Sequence, residues 1–266
     1  ASAQGAHPRL LLEPLLRLLL KSELSPGRMT AEPTGSHKGV IIDVGMHLGL
    51  DTIYYRAQGY SVVAIEADPA MVAGARAQLA AAGVVDGVTI VQKAIHHADD
   101  KEVDFYLSAM DSEWSSLIQK AGSRYGSGAE KITVPTVTLC TLIREHCVEK
   151  APHYIKIDIE GSEPVALASL LHLPESMQPH YISAELNFSE VLGLFERLGY
   201  GRFKLVAQQD FVTELEVGGT LKRCFHSGPF GDEAVDVEDG RAWSDRSALD
   251  AKIARHMAAK PVGPFA

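Results

Sequence analysis

Two acids bracket a glycine-framed turn near the start of the chain, and their spacing points to one kind of ligand. In "KGVIIDVGMHLGLDTIYYRAQGYSVVAIEADP", Lys38 to Pro69, Asp43 follows an apolar run, Gly45 and Gly49 frame the next turn, and Glu66 ends a second apolar run. Glu66 follows Gly45 by 21 residues, and an acid at about that distance accepts hydrogen bonds from ribose hydroxyls. Glycines let a ligand approach the backbone, while the free N–H groups of a helix N-terminus receive an anionic group. An adenosine-type nucleoside with a small charged tail is expected. The dinucleotide pattern GxGxxG is absent, because the turn reads D-x-G-x-x-x-G with Met46 and His47 where a pyrophosphate needs open backbone. Asp43 would repel a pyrophosphate but could pair, directly or through water, with an amino acid's ammonium group. S-adenosylmethionine carries that ammonium, a carboxylate and a ribose diol. His47 reaches its carboxylate or the acceptor, or merely fills the turn.

Positioning these residues needs strands that end at one edge. "GVIIDV" and "SVVAIEA" are short β-branched runs, each followed by a helix-compatible segment, Gly49 to Gln58 and Pro69 to Ala82. "GVTIVQKAI" reads as a third strand, "EVDFYLS" as an extra one and Ser108 to Glu130 as a long loop or lid. "KITVPTVTL" resembles an edge strand, since Pro135 cannot donate to a ladder. "PHYIKIDIEG" and "HYISAELN" are further strands around the helix "SEPVALASLLHL", and a helix follows to Gly199. "GRFKLVAQQ" and "LKRCFH" predict a closing antiparallel hairpin, and residues 242 to 258 a terminal helix. Strands alternating with helices predict a doubly wound α/β domain, mostly parallel, with ligands at the strands' carboxyl ends.

Composition narrows the function further. With 266 residues and a formal net charge of −9, the chain lacks the basic face of a nucleic-acid binder. Cys140, Cys147 and Cys224 form an odd set without CxxC spacing, which fits buried thiols in a reducing, cytoplasmic setting. "LLLEPLLRLLL", Leu10 to Leu20, is interrupted by Glu13, Pro14 and Arg17 and is too short to span a bilayer. It predicts an amphipathic helix that packs on the domain or on a second copy. Residues 1–37 then form a helical extension and linker, and 38–266 the catalytic domain.

"IIDVGMHLGLDT", "VVAIEADP", "VQKAI", "SSL", "VPTVTL", "YIKIDIEGSE" and "ISAEL", in this order from about Val40 to Leu186, resemble the FkbM family of S-adenosylmethionine-dependent methyltransferases. The resemblance implies the class I methyltransferase fold, seven strands with a final antiparallel hairpin, and methylation of a hydroxyl oxygen on a small molecule such as a sugar or secondary metabolite. Asp43, Gly45, His47, Gly49, Glu66, Ala67, Ala94 and Ser115 are then assigned to the donor.

Asp158 ends the fourth parallel strand, beside the first in this topology, and is the candidate base for the acceptor hydroxyl. Glu160 shares its face if the chain stays extended. Asp158 with Glu185 and Asn187 could instead hold Mg²⁺ in an all-oxygen site. Two other functions compete: an NAD-dependent oxidoreductase on a similar sheet, and a non-catalytic methyltransferase-like module binding a partner through its leucine-rich segment.

Overall fold

The computed structural model describes residues 18–24, 38–109, 112–123, 128–185, 188–207, 212–217, 220–225, 227 and 229–258. In chain order the elements are β1 (Leu18–Leu24), β2 (Val40–Val44), α1 (Leu50–Ala57), β3 (Ser61–Ile65), α2 (Pro69–Ala82), β4 (Val88–Val91), β5 (Ala94–Ile95) and β6 (Glu102–Ser108). They continue with α3 (Gln119–Gly122), β7 (Ala129–Val137), α4 (Leu139–His146), β8 (Tyr154–Ile157), α5 (Glu163–Leu170), β9 (Tyr181–Glu185) and α6 (Phe188–Arg197). The last are β10 (Tyr200–Ala207), β11 (Val212–Val217), β12 (Thr220–Phe225) and α7 (Arg246–Ala258).

The main sheet has seven strands in the order β10-β1-β9-β8-β2-β3-β4. Strands β9, β8, β2, β3 and β4 are parallel. Their apolar residues alternate between two cores, as burial on both faces of a parallel sheet requires. Ile42, Val44, Ile155 and Ile157 pack on one face with Leu142 of α4, Leu167 of α5 and Phe195 of α6. Ile41, Val62 and Tyr154 pack on the other with Tyr55 of α1 and Val72 of α2. The strand order reverses at β2, which has β3 on one side and β8 on the other, and that reversal opens the crevice used by ligands in such sheets.

Helix α2 forms where the sequence predicts it, from Pro69 to Ala82. The Asp68 carboxylate accepts from the N–H groups of Ala70 and Met71, Pro69 occupies the first turn, and Gly83 closes the helix at φ 68°. A C-terminal antiparallel hairpin is present, but not between the two predicted segments: "LKRCFH" lies in β12, which pairs with β11 in a separate two-stranded sheet, while "GRFKLVAQQ" lies in β10, which pairs with β1 in the main sheet.

Three expectations are corrected. The helix predicted over Leu10 to Leu20 gives way, at Leu18 to Leu20, to β1, which lies antiparallel between β9 and β10; residues 10–17 lie outside the described residues. Two-residue periodicity wins because Lys21 and Glu23 share a buried face and find partners there. The Lys21 Nζ donates to the carbonyls of Ser227 and Pro229 at 2.7 and 2.9 Å, and Glu23 pairs with Arg202 at 3.2 Å. Second, β7 is the central strand of a small sheet, β5-β7-β6, rather than an edge. Pro135 is tolerated because it lies opposite Glu102, the first residue of β6, and β5 pairs only with Thr136 and Val137. Third, the stretch from Ser108 to Glu130 is partly structured: a 3-10 turn covers Ser112–Trp114, Ser116 bridges Tyr106, and α3 follows. Among the described residues no helix is long and apolar enough to cross a membrane.

Candidate active site

The turn after β2 is built on backbone contacts that no side chain could share. The N–H groups of Gly45 and Met46 both donate to the Ile65 carbonyl, at 3.0 and 2.9 Å, and the Asp158 N–H donates to the Val44 carbonyl at 3.0 Å. A Cβ on Gly45 would lie 1.8 Å from the Asp158 carbonyl oxygen, and its φ is 82°. Only glycine satisfies both conditions. The turn therefore abuts the end of β8.

Glu66, half-buried at the end of β3, holds this turn in place. Its Oε2 accepts from the His47 N–H and its Oε1 from the Asp68 N–H, both at 2.9 Å. Burial pushes the carboxyl up, and these backbone donors oppose the shift. His47 adopts φ 51°, and its Nε2 lies 2.8 Å from Ser112 Oγ. The turn after β2 thus touches the segment over it. Ser115 belongs to that segment, where its Oγ accepts from the Ser108 N–H at 3.2 Å. Ala67 and Ala94 are buried together against Phe105 and Val134.

Asp43 lies beneath the turn. It is fully buried, its Oδ2 accepts from Thr52 Oγ at 2.6 Å, and its Oδ1 stands 3.5 Å from Lys156 Nζ. Burial raises its carboxyl to about 6, against the opposing pull of Lys156 and Thr52.

Asp158 and Glu160 come together, but not on an extended chain. Glu160 has φ 53° and Gly161 φ 102°, so the chain turns sharply after β8. Glu163 organises that turn, accepting from the Ile159 N–H at 3.1 Å and the Gly161 N–H at 2.9 Å. Burial lifts Glu163 to about 7, its backbone donors resist, and Asp158 and Glu160 push the same way as burial. Ser116 Oγ donates to the Glu160 carbonyl at 2.9 Å, closing the turn from above.

One carboxylate oxygen from each of Asp158, Glu160 and Glu185 lies within 4.8 Å of the others. Asn187 lies outside the described residues. Glu160 is buried and the other two are half-buried, and acids gathered in this way are by themselves no argument for Mg²⁺.

Four contributors were not singled out from the sequence: Asp51, Thr52, Lys156 and Glu163. A lysine within the apolar run "YIKID" is the signal that could have marked Lys156, because a buried charge in a central strand needs partners.

The family described as Methyltransferase FkbM domain matches residues 43–201. No curated protein matches the chain. A solved structure of a TehB-like SAM-dependent methyltransferase from Corynebacterium glutamicum is similar at 14% identity and a TM-score of 0.32, over 63% of this chain and 67% of that one.

Proposed function

The chain belongs to the FkbM methyltransferase family, and from that premise we propose that it transfers a methyl group from S-adenosylmethionine to a hydroxyl oxygen of a small molecule, such as a sugar or secondary metabolite. The carrying observation is the contact between the Gly45 turn and the end of β8, where a single added carbon would strike Asp158. A donor seated on the turn is thereby next to Asp158.

The residues present suit that donor. Glu66 spends one lone pair of each oxygen on backbone N–H groups, and an ionised carboxylate has about four such sites. The Ala67 N–H also bears on this carboxylate, and the capacity that remains serves the ribose diol. Asp43 supplies negative charge beneath the turn for the ammonium, Ala67 and Ala94 border the adenosine, and Ser115 borders the methionine portion or the acceptor entrance. When bound, S-adenosylmethionine supplies an electrophilic methyl group on a sulfonium.

On the acceptor side, Asp158 takes the hydroxyl proton as that oxygen is methylated, and Glu160 orients the acceptor. Such a base typically contributes about 10²–10⁴-fold, and holding both reactants in line offsets roughly 7–11 kcal/mol of barrier. The segment from Ser112 to Gly122, fastened to His47 and to Glu160, limits water around the reacting oxygen. A reducing cytoplasmic setting suits the free, buried thiols Cys140 and Cys147.

Incubation with S-adenosylmethionine and a panel of hydroxylated metabolites tests this. The expected result is one added methyl group per acceptor, on oxygen, with equal formation of S-adenosylhomocysteine. Transfer to nitrogen or carbon alone would overturn the oxygen assignment.

A further inference from the structure

A row of buried polar side chains crosses the middle of the sheet on the face opposite α4 to α6. Asp43 of β2 is in register with Lys156 of β8, Lys156 with Ser183 of β9, Ser183 with Lys21 of β1, and Lys21 with Lys204 of β10. Every member is essentially inaccessible to solvent. Lys21 and Lys204 use their charge on main-chain carbonyls, those of Ser227, Pro229, Gly231, Asp232 and Ala234. Lys156 does something different.

Its Nζ stands 3.0 Å from Asp51 Oδ2, 3.5 Å from Asp43 Oδ1 and 3.7 Å from Asp158 Oδ2, and it donates to the Gly45 carbonyl at 3.2 Å. One cation therefore touches the donor turn, the acid beneath that turn and the candidate base. Burial pulls the ammonium toward neutrality, but Asp51, Asp43 and Asp158 outweigh it and hold the group well above its ordinary value. Lys156 remains charged.

We infer that Lys156 is a positioning residue for methyl transfer, a buried cation that keeps Asp43 ionised beneath the donor and fixes the Gly45 turn against Asp158. This rests on the donor reading above. Removing one partner from a buried charge cluster leaves the others uncompensated. Without Lys156, Asp43 would face Asp51 and the Thr52 hydroxyl of α1 inside a wall of Tyr55 and Tyr154. Lys21, from β1, is the next amine; burial lowers it to about 7 against the pull of Asp51, and it reaches Asp51 through Ser227, whose N–H and Oγ both donate to the Asp51 carboxylate. It does not replace the lost contact to Asp43. The acid would then take up a proton at neutral pH, and the site would lose the charge that favours an ammonium.

The test is the affinity of the full chain for S-adenosylhomocysteine, titrated across roughly pH 5 to 9, which brackets carboxyl groups raised by burial. Wild-type, Lys156→Met and Lys156→Arg proteins are compared. In wild type the affinity should rise with pH through the Asp43 transition. In Lys156→Met the midpoint should move up by about 1–3 pH units, the usual effect of losing a nearby opposite charge. Lys156→Arg, which restores the charge, should return the midpoint toward wild type. A uniform loss at every pH without a moved midpoint would make Lys156 a packing residue and overturn the inference. Equal affinities in all three proteins would also overturn it. If Lys156→Met is unfolded at neutral pH, recovery of the fold at acidic pH supports the charge argument, and failure to fold at both contradicts it. Absence of binding to wild type would instead count against the donor reading itself.

Discussion

The backbone N–H of His47 donates to Oε2 of Glu66 at 2.9 Å, tying the turn after β2 to the end of β3. One carboxylate therefore shapes this turn and, in the proposed function, also receives the ribose. Glu66→Ala removes both functions. Each hydrogen bond to a charged acceptor is worth about 1.5–3 kcal/mol, so affinity for S-adenosylhomocysteine should fall at least tenfold by calorimetry. An unchanged dissociation constant would exclude Glu66 from the donor site.

Asp158→Asn separates chemistry from donor binding. The amide keeps the shape but cannot take the acceptor's proton, so turnover should fall by about 10²–10⁴-fold. Donor affinity should change far less. Unchanged turnover in steady-state assays would remove Asp158 from the mechanism.

Gly45→Ala tests the close approach of turn and strand end. A left-handed conformation alone costs a non-glycine residue about 1–2 kcal/mol, and the added Cβ would also strike the Asp158 carbonyl. The variant should melt at lower temperature and bind donor more weakly. A melting temperature equal to wild type would mean that the two segments separate without cost.

Glu163 gives the fold a pH dependence of predictable sign. Its carboxyl is held near 7 in the folded chain, against about 4.3 when free. A raised folded-state value means that its contribution to stability is complete below the free value and is lost as pH rises through about 7. Glu163→Gln cannot ionise, so the fall in melting temperature between about pH 5 and 8 should be shallower than in wild type. Asp43, raised to about 6, acts in the same sense and stays in both proteins. Parallel slopes would show that Glu163 does not titrate in this window.

Local signals made much of this architecture legible. Asp68, Pro69 and Gly83 delimit α2 by capping chemistry that operates within one helical turn, and "GVIIDV" and "SVVAIEA" are too β-branched and too short to be anything but buried strands. What escaped depends on contacts distant in sequence. The strand identity of Leu18 to Leu24 comes from the open sides of β9 and β10, more than a hundred residues later. Residues at the site behave likewise. Asp43, Gly45 and Glu66 announce themselves through spacing, whereas the role of Lys156 exists only once β2, β8 and α1 are folded together. Glu163 sits in a helix start that reads as an ordinary acidic first turn, and its two bonds to the Glu160 turn are invisible without coordinates.

The proposed function requires a sulfonium nucleoside in the crevice at the carboxyl ends of β2 and β3. Calorimetric titration of the wild-type chain with S-adenosylhomocysteine, and separately with NAD, addresses it most directly. Saturable one-to-one binding of the first and none of the second is expected. Saturable binding of NAD with no heat from S-adenosylhomocysteine would contradict it.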